Sequence, residues 1–317
     1  MDYNYTPLVS IIIPVFNGEN YLREAIDSAL CQTYENIEII VINDGSTDDG
    51  QTRNIALSYE GKIRYYEKEN GGCASALNYG ISKMKGQWFS WLSHDDKYYP
   101  DKVRQSVEII VNNGLESGNS IVYGNSDLID EKGNRIFHPI PFRREGNYSP
   151  EAFFHSLLND ASLNGCALLI HKKVFEKVGG FDETLKYTLD FDCWLRIAIY
   201  GFGMYAFNRN LCSNRVHAQQ VSVLSKDRKI PDLRKQIIKE IDLISSFDLS
   251  KVYYADLWMY AYTRRLKEEA KYISSAAADN GYDLSKLKRK GYFKLCKITF
   301  VNFVKYIYRA VFKKGMD

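Results

Sequence analysis

The sequence predicts an α/β fold, with a mostly parallel, doubly wound sheet, helices on both faces and a helical C-terminal extension. Short apolar runs typical of buried parallel strands alternate with amphipathic helical segments over the first hundred residues. Several of these runs end in polar turns, and the long segments after about residue 231 have helical periodicity. We therefore expect a large α/β domain over residues 1–225 and a helical region over residues 226–317.

The first hundred residues contain four predicted strands and three predicted helices. The strands cover residues 8–15, 37–42, 62–66 and 88–92, and the helices cover 21–32, a segment ending near 58, and 73–85. The first helix has one apolar face, formed by Leu22, Ala25, Ile26, Ala29 and Leu30. Strands and helices that alternate at this spacing favour a parallel sheet.

The remaining elements follow less regularly. Ser149 is a favourable helix cap followed by proline, and Gly179 is a favourable helix stop. We expect strands over residues 120–123 and 167–170, a hairpin turn over 127–134, an irregular polar segment over 215–222, and helices over 100–113, 172–178, 190–200, 233–244, 252–278 and 292–312.

Composition excludes several classes of protein. The six cysteines form no CxxC pair, which argues against a zinc site or a disulfide framework. The first residues do not resemble a signal peptide, and no apolar run reaches the roughly 18 residues of a membrane span. The net charge of +3 conceals a tail, residues 284–317, with ten Lys or Arg and one Asp. We expect no nucleic-acid partner, but an anionic surface or partner for this tail.

Three predicted strands end in unusual polar residues. These ends are Pro14 to Asn17, Asn43 to Ser46 and Ser93 to Asp96. In doubly wound sheets ligands bind beyond the carboxyl ends of the strands, so the three ends should share one rim. Asp95 and Asp96 are adjacent like charges, which favours a divalent cation nearby, the alternative being a solvated turn that caps the next helix.

Six motifs occur in an order that resembles one known family. They are LVSIIIPVFNGENYLREAIDSALCQTYENIEIIVINDGSTDDG, ENGGCASALNYGI, SWLSHDD, VGGFDE, LDFDCWLR and RVHAQQVS. Together they resemble the family 2 inverting glycosyltransferases and cover about residues 7 to 225. The resemblance implies the nucleotide-sugar-binding fold called GT-A, with a nucleotide-binding half over residues 1–100, an acceptor-binding half over 101–225, and Mn²⁺ or Mg²⁺ as cofactor.

The resemblance assigns the donor side of the site. Pro14, Phe16 and Asn17 would line the base pocket, with Phe16 stacked on the base and Asp44 bonded to its edge. From the residues alone, Pro14 could simply end a strand, Phe16 could be a core residue and Asp44 could cap a helix.

The resemblance also assigns the metal. The family's Asp-x-Asp-Asp aligns with Ser93, His94, Asp95 and Asp96, so Ser93 departs from the pattern with a neutral, weaker acceptor. Asp95 would approach the metal and the diphosphate, supported by Asp96. His217 would lie near the same metal, whereas strand alternation should turn His94 away.

A further carboxylate is expected on the acceptor side. Asp190 aligns with the family's catalytic base, although it could also be a helix N-cap, and Leu189 replaces an acid found in many relatives. Asp192 would support the base or replace it, and Trp194 and Arg215 would support the site.

The expected function is transfer of one sugar from a UDP-sugar to a saccharide hydroxyl, since the Gln-x-x-Arg-Trp segment of processive synthases is absent. Residues 292–314 have the amphipathic, basic composition of an interfacial helix, although they could instead pack on protein or a second subunit. We therefore expect a cytoplasmic enzyme at the inner membrane face, acting on a lipid-linked intermediate of capsule or other surface polysaccharide. The alternatives are an inactive nucleotide-sugar-binding or scaffolding module and a nucleotidyltransferase.

Overall fold

A computed structural model of the chain describes residues 5–136, 143–160, 163–220, 229–247, 249 and 251–285. The chain divides into two compact units, residues 1–232 and 233–317. The division lies seven residues beyond the boundary predicted between 225 and 226. Each unit is described by itself.

The first unit is built on a ten-stranded sheet. Its strands are β1 (Val9–Val15), β2 (Ile37–Asn43), β3 (Arg64–Glu67), β4 (Trp88–Trp91), β5 (Lys97–Tyr98), β6 (Ser120–Ile129), β7 (Arg135–Ile136), β8 (Gly146–Tyr148), β9 (Leu168–His171) and β10 (Gly203–Arg215). The main order is β3-β2-β1-β4-β9-β6-β10-β5, with β7 beside β6 and β8 beside β10.

Helices alternate with these strands, as the sequence predicts for an α/β fold. They are α1 (Leu22–Leu30), α2 (Gln51–Leu57), α3 (Cys73–Lys83), α4 (Lys102–Asn112), α5 (Pro150–Asn159), α6 (Lys172–Val178) and α7 (Leu189–Ile199). Ser149 caps α5 as expected, because its hydroxyl accepts a bond from the Ala152 amide. A 3₁₀ turn, Gly165–Ala167, precedes β9.

The first four strands are parallel to one another, which gives their carboxyl ends a common rim. β1 is buried along its whole length between β2 and β4, in agreement with its continuous apolar sequence. β9 then runs antiparallel to both β4 and β6 and joins this block to the parallel pair β6 and β10. The sheet is therefore mixed but mostly parallel in its first half.

Two predicted boundaries in this unit are wrong. β6 continues to Ile129, six residues beyond the predicted strand end, because polar Asn125 and Asp127 lie inside a strand that pairs with β10. Arg215 belongs to β10 and not to an irregular segment. The apolar pattern of β10 is broken at 207–211, where its register with β6 shifts, and this hid the strand in the sequence.

The second unit is helical. Its described helices are α8 (Lys229–Ser246, which begins before the division), α9 (Lys251–Thr263) and α10 (Lys267–Asp279). The prediction of a single helix over 252–278 is wrong, since the helix is interrupted between Thr263 and Lys267. The predicted tail helix, 292–314, lies outside the described residues. In the described part of the chain, no helix combines the length with the hydrophobicity that a membrane span requires.

Candidate active site

The carboxyl ends of β1, β2 and β4 meet at one rim of the sheet. The Asp44 amide donates to the Val15 carbonyl over 2.8 Å. A methyl group added at Gly18 would lie 3.1 Å from the His94 ring, so Gly18 brings the end of β1 against the turn after β4. The three polar ends that the sequence singles out are therefore neighbours.

The loop after β1 exposes one aromatic ring to solvent. Asn17 adopts a left-handed backbone (φ 50°), and its amide donates to the Ser46 hydroxyl over 2.9 Å. Its side-chain oxygen accepts from the Thr47 amide over 2.7 Å, which ties this loop to the end of β2. Pro14 is buried within β1, whereas 43% of Phe16 is exposed. Phe16 is therefore not a core residue, and its contact with a base stays a prediction.

Asp44 is buried and held by three donors. Lys68 Nζ lies 2.8 Å from its carboxylate, and the Gly71 and Gly72 amides donate over 3.1 and 2.7 Å. These two glycines immediately precede Cys73, the first residue of α3. Asp44 therefore joins the end of β2 to the start of α3, and its predicted bond to a base edge remains a prediction.

Asp95 follows β4 and His217 follows β10, and their side chains lie next to each other. Asp95 Oδ2 and His217 Nε2 are 3.0 Å apart, although 122 positions separate them in the chain. Their side chains are 14% and 12% exposed, so the pair lies at the surface of the rim and not in the core. The two residues that the family resemblance assigned to a metal are thus paired in space.

This pair fits a divalent cation. The 3.0 Å separation is that of a hydrogen bond between the two side chains, and it also equals the separation of about 3.0 Å between two adjacent ligands of an octahedral ion with bonds of about 2.1 Å. Glu19 Oε2 is buried and has no hydrogen-bond partner among the described residues. Glu19, Asp95 and His217 all act electrostatically on His94, so the four side chains are near one another.

The protein supplies only part of a coordination shell. Among the described residues, no three His, Cys, Asp or Glu side chains are placed to hold a metal ion together. Mg²⁺ is commonly held by one or two carboxylates, with water and substrate phosphates completing the shell. His94 is directed toward the Pro14 carbonyl, and burial lowers the pKa of its ring.

Asp96 faces the interior beneath this pair. It is 4% exposed and accepts bonds from the Arg215 amide (2.9 Å), the Asn214 amide group (2.8 Å) and the Cys166 thiol (3.3 Å). Burial and the adjacent charge of Asp95 raise the pKa of Asp96 to about 8. Asp96 therefore supports the turn from within, and its predicted contact with the donor remains a prediction.

Arg215 fixes the backbone of this turn from inside the protein. Its side chain is completely buried, and Nε donates to the Asp95 carbonyl over 3.0 Å. The other guanidinium nitrogens bond Glu24 at 2.9 Å and the backbone carbonyls of Asp130 and Glu131 at 3.3 and 3.0 Å. The guanidinium therefore joins the turn to α1 and to the loop after β6, and its charge is paired with Glu24.

Sequence reasoning missed Tyr21, which lies between this arginine and the histidine. The Arg215 guanidinium is 4.4 Å from the Tyr21 ring centre, and the Tyr21 and His217 rings are 5.4 Å apart. The arginine thereby orients the candidate metal ligand through an aromatic ring. Tyr21 carries no motif signal, because its role depends on contacts with residues near position 216.

α7 separates the roles of its two acidic residues. The helix begins at Leu189 after Thr188, so Asp190 lies in the first turn and is not the N-cap. Asp190 is half-buried and accepts from the Phe191 amide over 2.8 Å. Asp192 is fully buried and pairs with Arg196 at 2.7 Å, and Trp194 is also buried. This geometry favours Asp190 over Asp192 as a group that meets a substrate.

Cys73 shows that the donor side and the acceptor side converge. The residue is exposed at the start of α3, yet desolvation raises the pKa of its thiol to about 12. The charges of Asp190, Asp44 and Asp95 add to this increase, in that order. The start of α3 is therefore near the start of α7 and near the ends of β2 and β4.

Comparison with known proteins agrees with the sequence resemblance. The model of the family described as Glycosyl transferase family 2 matches residues 10–179, more than half of the chain. An uncharacterized glycosyltransferase of Rickettsia prowazekii is 49% identical over 241 residues, which are 75% of this chain and 73% of that protein. An uncharacterized glycosyltransferase of Rickettsia felis is 52% identical over 226 residues, or 69% of this chain. The matched region spans only 36% of the R. felis protein.

A solved structure shares the fold. The crystal structure of S. aureus TarS 1-349 in complex with UDP-GlcNAc superposes with a TM-score of 0.59 and covers 89% of this chain and 92% of that chain. Sequence identity is 15%, so this likeness concerns the fold alone.

Proposed function

The chain belongs to glycosyl transferase family 2, and from this premise we propose that it transfers one sugar from a UDP-sugar to a saccharide hydroxyl with inversion at the anomeric carbon. The observation that carries the proposal is the Asp95–His217 pair at 3.0 Å on the rim where the polar strand ends meet. A structural histidine and aspartate could form such a pair anywhere. Here the pair lies at the rim where the end of β1 meets the turn after β4, near the buried Glu19 carboxylate.

The donor would bind along the ends of β1 and β2. Phe16 offers an exposed aromatic face for a nucleotide base, and the loop that carries it is held to β2 by Asn17. Asp44 and Lys68 lie at the end of β2, where the base edge would be reached. The crystal complex of TarS with UDP-GlcNAc supports a UDP-sugar as the donor, since the two chains share a fold.

Asp95 and His217 would hold Mn²⁺ or Mg²⁺ next to the diphosphate. The bound ion would stabilise the negative charge that develops on the leaving nucleoside diphosphate. Arg215 bonds the Asp95 backbone, and the Tyr21 ring contacts the His217 ring. Both side chains are therefore positioned before the metal ion or the donor binds.

Asp190 would act as the general base. It removes the proton of the acceptor hydroxyl as that oxygen attacks the anomeric carbon. The bond from this carbon to the diphosphate breaks on the opposite side, and its electron pair leaves with the nucleotide. The first turn of a helix favours a negative side chain, and Asp190 occupies the first turn of α7.

The acceptor and the location extend the proposal. We infer a lipid-linked saccharide of a surface polysaccharide, met at the inner membrane face through the basic residues 292–314. One sugar would be added per binding event, because the sequence carries no Gln-x-x-Arg-Trp segment of the processive type. Self-association through the helical region is compatible with this arrangement.

Binding is tested with a thermal-shift panel of nucleotide sugars, with and without Mn²⁺. A ligand that binds the native state raises the midpoint of unfolding. We expect the largest shift for a UDP-sugar with Mn²⁺, and loss of the Mn²⁺-dependent part in His217→Ala. Equal shifts in the presence and absence of Mn²⁺ would contradict the metal assignment.

Catalysis is tested with Asp190→Asn, and Asp101→Asn, at the N-cap of α4, is the matched control. We expect donor turnover to fall at least about 100-fold in Asp190→Asn, since a positioned base contributes about 10²- to 10⁴-fold. Nucleotide binding should be retained, and Asp101→Asn should be unaffected. Unchanged turnover in Asp190→Asn would remove the base assignment, whereas binding without turnover in the unaltered protein would favour an inactive module.

A further inference from the structure

We propose that Asn78 is a positioning residue that sets the distance between the donor side of the site and the catalytic base. The inference rests on the function proposed above. Asn78 lies on α3, and its side chain bonds the loop between α6 and α7 and none of the residues assigned to substrate. This contact, which we call the Asn78 clasp, comprises Asn78, Gly180, Phe181 and Glu183.

The clasp imitates backbone pairing. The Asn78 amide nitrogen donates to the Phe181 carbonyl over 2.8 Å, and its oxygen accepts from the Phe181 amide over 2.8 Å. The same nitrogen donates to Glu183 Oε1 over 2.9 Å. A methyl group added at Gly180 would lie 2.2 Å from the Asn78 oxygen, so glycine is needed for this approach.

Phe181 connects the clasp to β4 and to α7 through ring contacts. Its side chain is 3% exposed, and its ring lies 6.0 Å from Trp91 and 6.0 Å from Trp194, in edge contacts. Trp91 ends β4, two residues before the turn that contains Asp95. Trp194 lies one helical turn after Asp190 on α7. One ring therefore separates the strand of the metal site from the helix of the base.

A second set of bonds fixes α7 to the same loop. Arg196 is buried and donates to the carbonyls of Val178 and Gly180 over 3.0 and 2.8 Å. Asp192 holds this guanidinium at 2.7 Å. Asp192 and Arg196 thus lock α7 to the loop that Asn78 grips.

The other end of the path is the start of α3. Gly71 and Gly72 hold Asp44 there, immediately before Cys73, the first residue of α3. The start of α3 therefore belongs to the donor side of the site. Asn78, five residues further along this helix, connects it to the loop that precedes α7.

A loosened clasp should affect chemistry more than donor binding. A misplacement of about 1 Å of a catalytic group can cost about 100-fold in rate. Phe16, Asp95 and His217 lie on other elements, and the hydrogen bonds of the Asn78 side chain in the described part of the chain reach Phe181 and Glu183. We therefore expect kcat to fall about 10- to 100-fold in Asn78→Ala, with KM for the donor within about twofold of its original value.

The test is a double-mutant cycle across the clasp, measured on the full chain. Asn78→Ala removes all three hydrogen bonds. Gly180→Ala leaves Asn78 in place but adds a methyl group that pushes its side chain out of position. Once Asn78 is alanine, the added methyl at Gly180 has room, so the double variant should be no slower than Asn78→Ala. Multiplicative losses in kcat would show that the two residues act separately and would overturn the proposal.

Controls separate positioning from loss of fold. Asn113→Ala removes a side-chain bond at the end of α4, away from the cleft, and should leave kcat and KM unchanged. If Asn78→Ala does not fold, Asn78→Asp keeps the acceptor for the Phe181 amide and should still lower kcat. Unchanged kcat in a folded Asn78 variant would overturn the inference while leaving the function intact. Full turnover in Asp190→Asn would instead overturn the base assignment.

Discussion

Individual buried charges shape both the site and the sheet beneath it. Arg215 is completely buried, and the turn with Asp95 and Asp96 depends on its bonds. Leaving a buried hydrogen-bonding group of this turn without its partner costs about 1–3 kcal/mol. Arg215 therefore serves the fold and the candidate metal ligands together, which makes it a poor residue for separating the two effects.

Lys102 is a second buried cation, and it has no assigned role at the site. Its side chain is completely buried at the start of α4, where Nζ donates to the Ser90 hydroxyl and, over 2.9 Å, to the Leu168 carbonyl. The Tyr98 ring lies 4.7 Å from Nζ. In the described residues no carboxylate forms an ion pair with it, so burial lowers the pKa of Lys102 to about 7.

This lysine should make stability depend on pH in alkaline solution. The folded pKa of about 7 lies below the ordinary value of 10.5, so the unfolded chain binds more protons between these values. The free energy of unfolding should therefore gain a component that rises from about pH 7 to pH 10. Lys102→Met should lack this component, and the difference between the two proteins should change with pH. Urea unfolding at pH 7, 8.5 and 10 measures it, and parallel pH profiles would contradict the prediction.

The sequence could predict residues whose role lies in a local motif. Asp95, His217 and Asp190 were predicted from their place in ordered motifs, and the structure pairs Asp95 with His217 at 3.0 Å. Asn78 and Tyr21 could not be identified in this way. Asn78 acts on Phe181 across 103 positions, and no periodicity or spacing in one sequence reports such a contact.

The ends of helices were predictable where a glycine marks them and were missed where none does. α4, α7 and α10 each end with glycine in the left-handed region, at Gly114, Gly201 and Gly281. α9 ends with the same bonding pattern, since the Leu266 amide donates to the Ala261 carbonyl over 3.0 Å and the Arg265 amide to Tyr262 over 3.1 Å. Arg265 takes the glycine position with φ 61°. With no glycine to mark the stop, the sequence predicted one helix where there are two.

Arg265→Gly should therefore stabilise the protein. A left-handed backbone costs a non-glycine residue about 1–2 kcal/mol, and the greater freedom of glycine in the unfolded chain offsets part of this. We expect a gain of up to about 1 kcal/mol in the free energy of unfolding. Gly281→Ala, at the equivalent position of α10 with φ 79°, is the matched control and should lose a similar amount. Denaturant unfolding measures both, and a loss of stability in Arg265→Gly would contradict the assignment.

Strand pairing explains which parts of the sheet were predictable. β1 and β2 are predominantly apolar, as expected for neighbouring parallel strands that are buried over most of their length. β10 extends over 13 residues but includes exposed Asn208 and Arg209 at an irregular register. The strand is nevertheless important for the candidate site, since it ends at Arg215 and places His217, two residues later, at the rim. The sequence detected the motif at the end of this strand without detecting the strand.

For the whole molecule, charge is unevenly distributed along the chain. Residues 284–317 carry ten Lys or Arg and one Asp, so the charge of this segment is +9. Because the net charge of the chain is +3, the charge of the remaining residues is −6. Each basic residue near an anionic bilayer contributes about 1 kcal/mol, and apolar residues of an interfacial helix add to this attraction. The tail could thus bring an acidic catalytic unit to a surface that would otherwise repel it.

Deletion of residues 292–317 should release the protein from anionic liposomes. A second variant in the full chain, with Lys294, Lys297, Lys305, Arg309 and Lys313 changed to Gln, keeps the apolar residues and removes five charges. Co-sedimentation at rising salt should show weak binding for this variant and salt-sensitive binding for the unaltered chain, because salt screens charge and not apolar contact. Neutral liposomes are the control. Undiminished binding of the deleted chain would contradict the membrane role, whereas a smaller oligomer after deletion would favour packing of the tail on a second subunit.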